Sequence, residues 1–327
     1  MFHLNSAEIW TFLFLKVLLG LSLKEKSPWY NFNMKWYEIT EKSAGQKRLA
    51  FTLFLYKIFG KIALDFVAFV IGTFTFLGAG DIKSASFKYF SILYNYTKKD
   101  KFKPSLWKVY LNILNYAFSL ADKIQIFSGK FKTQNIEFEN QNIKEEFFGN
   151  LEEKQGAILI FNHIGNIEAM RSLVVSNNHK VIIFLQENTF TIFRKFIENL
   201  SLKPENLVIY PVEKIDMTTF FELDKELSKG AVVLFAGDRI SSKSNKNINS
   251  SLLGAKVTLP YGVFRLAQKF NSPVYFVSCL KERGKYKIFL ENAPKNDKIV
   301  LEWTSFMEKM ILKQPFQFYH FYDFFEN

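Results

Sequence analysis

Two textures of hydrophobic patterning divide the chain. From Gln46 to about Leu120 apolar and aromatic residues recur at helical spacing, in RLAFTLFLYKIFGKIALDFVAFVIG, SASFKYFSILYNYTKK and PSLWKVYLNILNYAFSLADKI, and this predicts a helical segment. Pro104 suits a first helical turn. Beyond Gln125 short β-rich runs alternate with helical stretches. Strands are expected at 156–161 (GAILIF), 180–185 (KVIIFL), 206–211 (NLVIYP), 230–237 (GAVVLFAG), 273–279 (PVYFVSC) and 286–292 (YKIFLEN). Helices are expected near Ala169–Ser176, Phe190–Leu200, Met217–Lys229 and Gly262–Phe270. Strand–helix alternation of this kind implies an α/β fold, a mixed and mostly parallel sheet flanked by helices. Ligands of such sheets bind outside the carboxyl ends of the strands, so residues just after a strand are where chemistry is sought. The stretch SSKSNKNINSS (241–251) reads as a polar loop following one of these strands.

The helical half carries Lys57, Lys61, Lys88 and Lys108 among its aromatic residues. That mixture suits insertion at an anionic interface with the Lys stems reaching towards headgroups, although the same faces would also serve to pack on the rest of the protein. Its longest uncharged apolar run, Phe66 to Gly80, has Asp65 at its edge. It falls short of the ~20 residues a spanning helix needs, so a helix lying in or dipping into a bilayer is expected. Residues 1–33 form an atypical leader ending in KSPWYNFN, and Met34 is a candidate start of translation. Ile9–Leu23 is apolar but has Glu8 before it, Lys16 inside it and no A-x-A site after it, which argues against a cleaved signal peptide. The expected organisation is therefore leader 1–33, membrane-associating helices 34–125 and an α/β catalytic domain 126–327.

Composition adds a partner class. With 38 Phe and 14 Tyr in 327 residues, an exposed apolar patch is expected. A formal charge of +12 and a pI of about 9.4 predict an acidic partner: nucleic acid, an anionic membrane or an acidic carrier protein. The lysines are scattered, with no zinc-finger spacing, RNP-like motif or helix-turn-helix signature, so nucleic acid is set aside. The single Cys279 excludes an internal disulfide and any multi-cysteine metal site.

The strongest chemical candidate follows the first strong strand. FNHIGNIEAMR places His163, Gly165, Asn166, Glu168 and Arg171 on a loop entering a helix. A hydroxyl nucleophile needs a base that titrates near working pH, and imidazole is one when a carboxylate holds its other nitrogen in the right tautomer. His163 and Glu168 are the candidate pair. Five residues on a regular helix would set them about 140° apart, so they meet only if a turn precedes the helix; Gly165 and Asn166 permit one. A second segment, LFAGDRI at 234–240, brings Asp238 and Arg239 to the same sheet edge. Arg239 could bind phosphate or carboxylate through its fork of donors, or form an ordinary loop ion pair.

These segments resemble the bacterial lipid A biosynthesis acyltransferases of the lysophospholipid acyltransferase superfamily. HIGNIE resembles that family's H-x-G-N-x-E, the HX4E motif; GDR at 237–239 resembles its GDR block; and LG, LP and the helix following at 253–270 resemble its third block. KWYEITEKSAGQKRLAFTLFLYKIFGKIA and KSASFKYFSILYN look like the family's membrane-associating helices, and QPFQFYHFYDFF like its tail, so the likeness covers roughly residues 34–327. Ile167 departs from the Trp common at its position. The resemblance implies a lipid or glycolipid acyltransferase at the cytoplasmic face of the bacterial inner membrane. His163 would be the general base, oriented by Glu168, with Asn166, Arg171, Asp238 and Arg239 binding substrate and Gly165 forming a turn or contributing to an oxyanion site. The donor implied is a thioester of acyl carrier protein or coenzyme A, used as co-substrate with no metal and no bound cofactor. A hydrolase of acyl thioesters or lipids and a non-catalytic membrane protein retaining the fold remain as alternatives; a G-x-S-x-G elbow is absent.

Overall fold

A computed structural model describes residues 45–129, 131, 133–185, 206–212, 215–240 and 246–326. The leader, the Met34 start, the Phe190–Leu200 helix and the Lys57 side chain lie outside what is described. The chain divides into two units: Met1–Gln125 with Tyr319–Phe324, and Ile126–Phe318 with Phe325–Asn327.

The first unit is helical, with α1 (Gly45–Gly78), α2 (Gly80–Thr97) and α3 (Leu106–Phe127). Gly60, at φ 63° and ψ −145°, kinks α1; this backbone region is open essentially to glycine alone. Beyond the kink α1 runs antiparallel to α3. Lys61 meets Asp122, Gly72 faces Leu114 and Ala117, and the Phe76 and Tyr110 rings meet edge to face at 5.2 Å. A Cβ on Gly72 would stand 2.8 Å from the Leu114 side chain, so the glycine sets how closely the two helices approach. Ser86 Oγ donates to Asn112 Oδ1 at 2.9 Å, tying α2 to α3. The Tyr319 and Phe321 rings close against Tyr116 at 4.9 and 5.5 Å.

The second unit is the expected α/β fold. A seven-stranded sheet is built from β1 (Ile136–Phe138), β2 (Ala157–Gly165), β3 (Val181–Leu185), β4 (Leu207–Pro211), β5 (Val232–Ala236), β8 (Val274–Glu282) and β9 (Lys285–Asn292), in the order β1-β9-β8-β2-β5-β3-β4. Every neighbouring pair is parallel except β8 with β9. The first five residues of β2, AILIF, include no polar side chain because both faces of the sheet are covered there. One face packs Leu159, Val232, Leu234 and Val277 on α4 (Gln141–Glu152) and α5 (Glu168–Ser176). The alternate residues Ile158, Ile160, Val233 and Phe276 are equally buried. They point to the opposite face, where Phe276 meets Trp303 of α8 (Ile299–Lys313) at 5.2 Å between rings. α6 (Met217–Leu227) and α7 (Tyr261–Ala267) complete the helices described. Asp216 caps α6 in a capping box with Thr219.

Two corrections to the expected elements follow. Residues 247–251 of the expected polar loop are strand: β6 (Asn247–Leu252) pairs antiparallel with β7 (Ala255–Pro260) through a turn at Leu253 and Gly254, both at positive φ. That is the requirement of a two-residue hairpin turn whose twist matches its strands. Asn247, Asn249 and Ser251 of β6 are exposed and Ile248 and Ser250 between them half-buried, so the strand is held by pairing rather than by an apolar run. Strand β1 and helices α4 and α8 were not among the expected elements.

Candidate active site

The sheet register assembles the site. Phe161 of β2 stands opposite Ala236 of β5, and the Gly237 amide donates to the Phe161 carbonyl at 2.8 Å. Two residues past that pair on each strand are His163 and Asp238. The Asp238 carboxylate grips His163 twice, through the ring Nδ1 at 2.8 Å and the main-chain amide at 2.5 Å. The Asp238 side chain is fully shielded, whereas the His163 side chain keeps 20% of its surface exposed. An ionised carboxylate can only accept, so with Asp238 ionised Nδ1 carries the proton and Nε2 is the unprotonated ring nitrogen.

Glu168 takes a different partner from the one expected. It opens α5, and Arg171, one turn on, donates its Nε to the Glu168 carboxylate. The buried guanidinium lies over the Phe127 ring, 4.3 Å from its centroid. The separation has a local cause: β2 runs on to Gly165, so His163 is extended strand while Glu168 sits in a first helical turn, where its neighbour is three residues ahead. The carboxylate set against His163 Nδ1 is that of Asp238, 75 residues away.

Gly165, at φ +79°, leaves no room for a side chain: a Cβ would fall 2.0 Å from the Cys279 carbonyl oxygen. Its neighbours' amides are committed. His163 donates to Asp238, Ile164 to Asn162 Oδ1 at 3.2 Å, Asn166 to the Cys279 carbonyl at 2.8 Å and Glu168 to Asn166 Oδ1 at 3.2 Å. Gly165 therefore serves as the turn, and none of these four amides is spare for an oxyanion. The Asn166 side chain is buried and also donates to the Tyr286 hydroxyl at 3.3 Å.

Three of the four expected substrate-binding residues are thus engaged inside the protein: Asn166 as a brace for the turn, Arg171 on Glu168, and Asp238 on His163. Arg239 differs. Its Nε and Nη2 are buried and have no hydrogen-bond partner among the described residues, although a buried donor without a partner is costly. Such a fork is suited to a ligand carboxylate or phosphate.

Sequence reasoning missed the supports of this site. Trp303 Nε1 donates to the Gly237 carbonyl at 3.0 Å, and a Cβ on Gly237 would collide with Ile160 at 2.6 Å and the Trp303 ring at 2.8 Å. Only glycine fits ahead of Asp238. Ser278 Oγ donates to Asn162 Oδ1 at 2.7 Å, steadying the residue before His163. Asn162 was in view beside His163, but no spacing signal connects Trp303 or Ser278 with it. Burial pushes the Cys279 thiol up to about 12, so at neutral pH it is a protonated core residue and not a nucleophile.

No family model and no curated protein matches the chain.

Proposed function

We propose that this chain transfers a fatty acyl group from a thioester of acyl carrier protein or coenzyme A to a hydroxyl of a membrane lipid or glycolipid, at the cytoplasmic face of a bacterial inner membrane. The observation that carries the reading is the two-point grip of Asp238 on His163, which fixes the ring and leaves Nε2 as the basic nitrogen. In the reaction Nε2 removes the proton from the acceptor hydroxyl as its oxygen attacks the thioester carbonyl. Collapse of the tetrahedral intermediate breaks the C–S bond, and the imidazolium returns its proton to the departing sulfur. Asp238 stabilises the imidazolium between the two steps, as the carboxylate of a Ser-His-Asp triad does. Glu168, held by Arg171, shapes the start of α5 beside the base, and Arg239 supplies donors for an anionic group of donor or acceptor. The resemblance of HIGNIE and GDR to the lipid A acyltransferase blocks supports the same reading.

The test is transfer of a labelled acyl group from acyl carrier protein, and separately from coenzyme A, to a membrane lipid extract, with the product identified by mass. An acylated lipid made by the wild type and lost in a folded His163→Ala variant is expected. Free fatty acid as the sole product would replace transfer by hydrolysis, and unchanged product in the variant would remove His163 from the chemistry.

A further inference from the structure

Strand β2 leaves its register on β8 within the site itself. Phe161 stands opposite Val277 and Gly165 opposite Cys279, so β2 advances four residues where β8 advances two. Had β2 kept its register, His163 would stand opposite Cys279, in the place that Gly165 takes. A bulge of this kind re-aims side chains and disrupts the ladder. The two amides inside it are taken by side chains: His163 donates to Asp238 at 2.5 Å and Ile164 to Asn162 Oδ1 at 3.2 Å. Ser278, the single residue of β8 between Val277 and Cys279, donates its hydroxyl to the same Asn162 oxygen at 2.7 Å.

We propose that Asn162 and Ser278 are positioning residues of the base: the Ser278 hydroxyl, by holding Asn162 Oδ1, keeps β2 in the bulge that sets the His163 ring against Asp238. This deepens the acyltransferase reading, on which only the rate measurement below rests.

The hydrogen-bond chemistry fixes the clamp in one orientation. A main-chain N–H cannot accept, so the oxygen of the Asn162 side-chain amide faces Ile164, and the Ser278 hydroxyl turns to donate to it. That arrangement leaves Asn162 Nδ2 buried with no hydrogen-bond partner among the described residues. An unpaired buried donor is costly, and the preceding alternate residues of β2, Ile158 and Ile160, are apolar and fully buried. An apolar residue would continue that run at no such cost. The polar pair is explained by what it does one residue before the base: strained local arrangements of this kind are kept where they hold functional groups in place.

The carboxylate has separate supports. Gly237, next to Asp238, donates its amide to the Phe161 carbonyl at 2.8 Å and accepts from Trp303 Nε1 at 3.0 Å. Loss of the Ser278 hydroxyl therefore releases the base and leaves Asp238 held.

The test follows the tautomer of His163 in the full chain labelled with ¹⁵N-histidine, its signals being those that disappear in His163→Ala. Wild type is expected to carry the proton on Nδ1. Ser278→Ala removes one oxygen from the core and should remain folded by circular dichroism, with His163 passing into a mixture of the two tautomers. Ser278→Thr, which keeps the hydroxyl, should restore the wild-type signal. The same contrast is made at the other partner: Asn162→Ala removes the acceptor of both bonds and should lose the Nδ1 tautomer, whereas Asn162→Asp keeps the acceptor and should retain it. In acyl transfer, Ser278→Ala is expected to lower kcat by about tenfold to a hundredfold with KM within about twofold of wild type. A wild-type ring protonated on Nε2, or an unchanged tautomer in folded Ser278→Ala or Asn162→Ala, would overturn the proposal. Were Ser278→Ala to lose its fold, the pair at Asn162 decides, and one tautomer shared by both would overturn it equally. Unchanged tautomers alongside wild-type transfer would remove the clamp and leave the acyltransferase reading standing; the expected tautomer changes in a protein that transfers no acyl group would do the opposite.

Discussion

The two units use apolar residues in opposite ways. In the α/β unit β2, β5 and β8 are buried on both faces, and the rings and aliphatic chains end against other side chains. In the helical unit the same residue types face outward: eleven of the sixteen large hydrophobics exposed among the described residues, from Ile58 to Trp107, belong to it. Composition does not separate these uses, because FVAFVIG (66–72) and GAILIF (156–161) are both apolar. What separates them is whether a second layer exists to cover the face. Where it does, burial stabilises the fold and sets the Asp238 carboxylate against His163. Where it does not, the apolar side chains stay exposed.

That contrast can be broken at its glycines first, where the largest effect is expected. Gly165→Ala places a methyl group against the Cys279 carbonyl, and a loss of more than about 4 kcal/mol in urea unfolding, or no folded protein, is expected. Gly60→Ala meets nothing within 4 Å and should cost only the backbone strain, about 1–3 kcal/mol. Equal losses would mean that the helical unit is packed as tightly as the sheet.

Within α1 the two sides should diverge. Leu64→Ala, on the buried side, is expected to lose about 2–5 kcal/mol. Phe66→Ala, on the exposed side, should change the stability of the lipid-free protein by no more than about 0.5 kcal/mol. A large loss at Phe66 would show that this side is covered in solution.

The α/β core carries its own pH signature. The Cys279 thiol is raised to about 12 by burial, against about 8.5 in an unfolded chain. The unfolded state therefore releases its proton first as pH rises, and stability should fall by up to about 1.4 kcal/mol per pH unit between those values. Below about 8.5 the thiol makes no pH-dependent contribution, since both states keep the proton. Urea midpoints at pH 8 and 10, compared between wild type and Cys279→Ala, measure it; a slope shared by the variant would assign the effect elsewhere.

How much of this could be read from the sequence follows the physics of each element. The buried strands announced themselves as β-branched and aliphatic runs bounded by Gly, Pro or Asn, and their positions agree with the structure to within a few residues. Strand β6 did not, because its exposed positions are Asn247, Asn249 and Ser251 and its covered face carries Ser250 between Ile248 and Leu252. Helix α8 has its buried Ile299, Trp303, Phe306, Met307 and Met310 at helical spacing, so its signal was present in the chain. The site was legible as two short motifs after two strands. Its wiring was not: proximity in sequence favoured Glu168 as the partner of His163, whereas the register of β2 on β5 brings Asp238 to it. A contact set by strand register across 75 residues leaves no mark in local spacing.

The most direct measurement is the transfer rate, from acyl carrier protein to lipid, of folded His163→Ala, Asp238→Asn and Glu168→Gln variants under one set of conditions. Losses of about a thousandfold are expected for the first two, with a much smaller loss for Glu168→Gln. A Glu168→Gln loss as deep as that of His163→Ala, with Asp238→Asn close to wild type, would contradict the assignment of Asp238 as the carboxylate that holds the base.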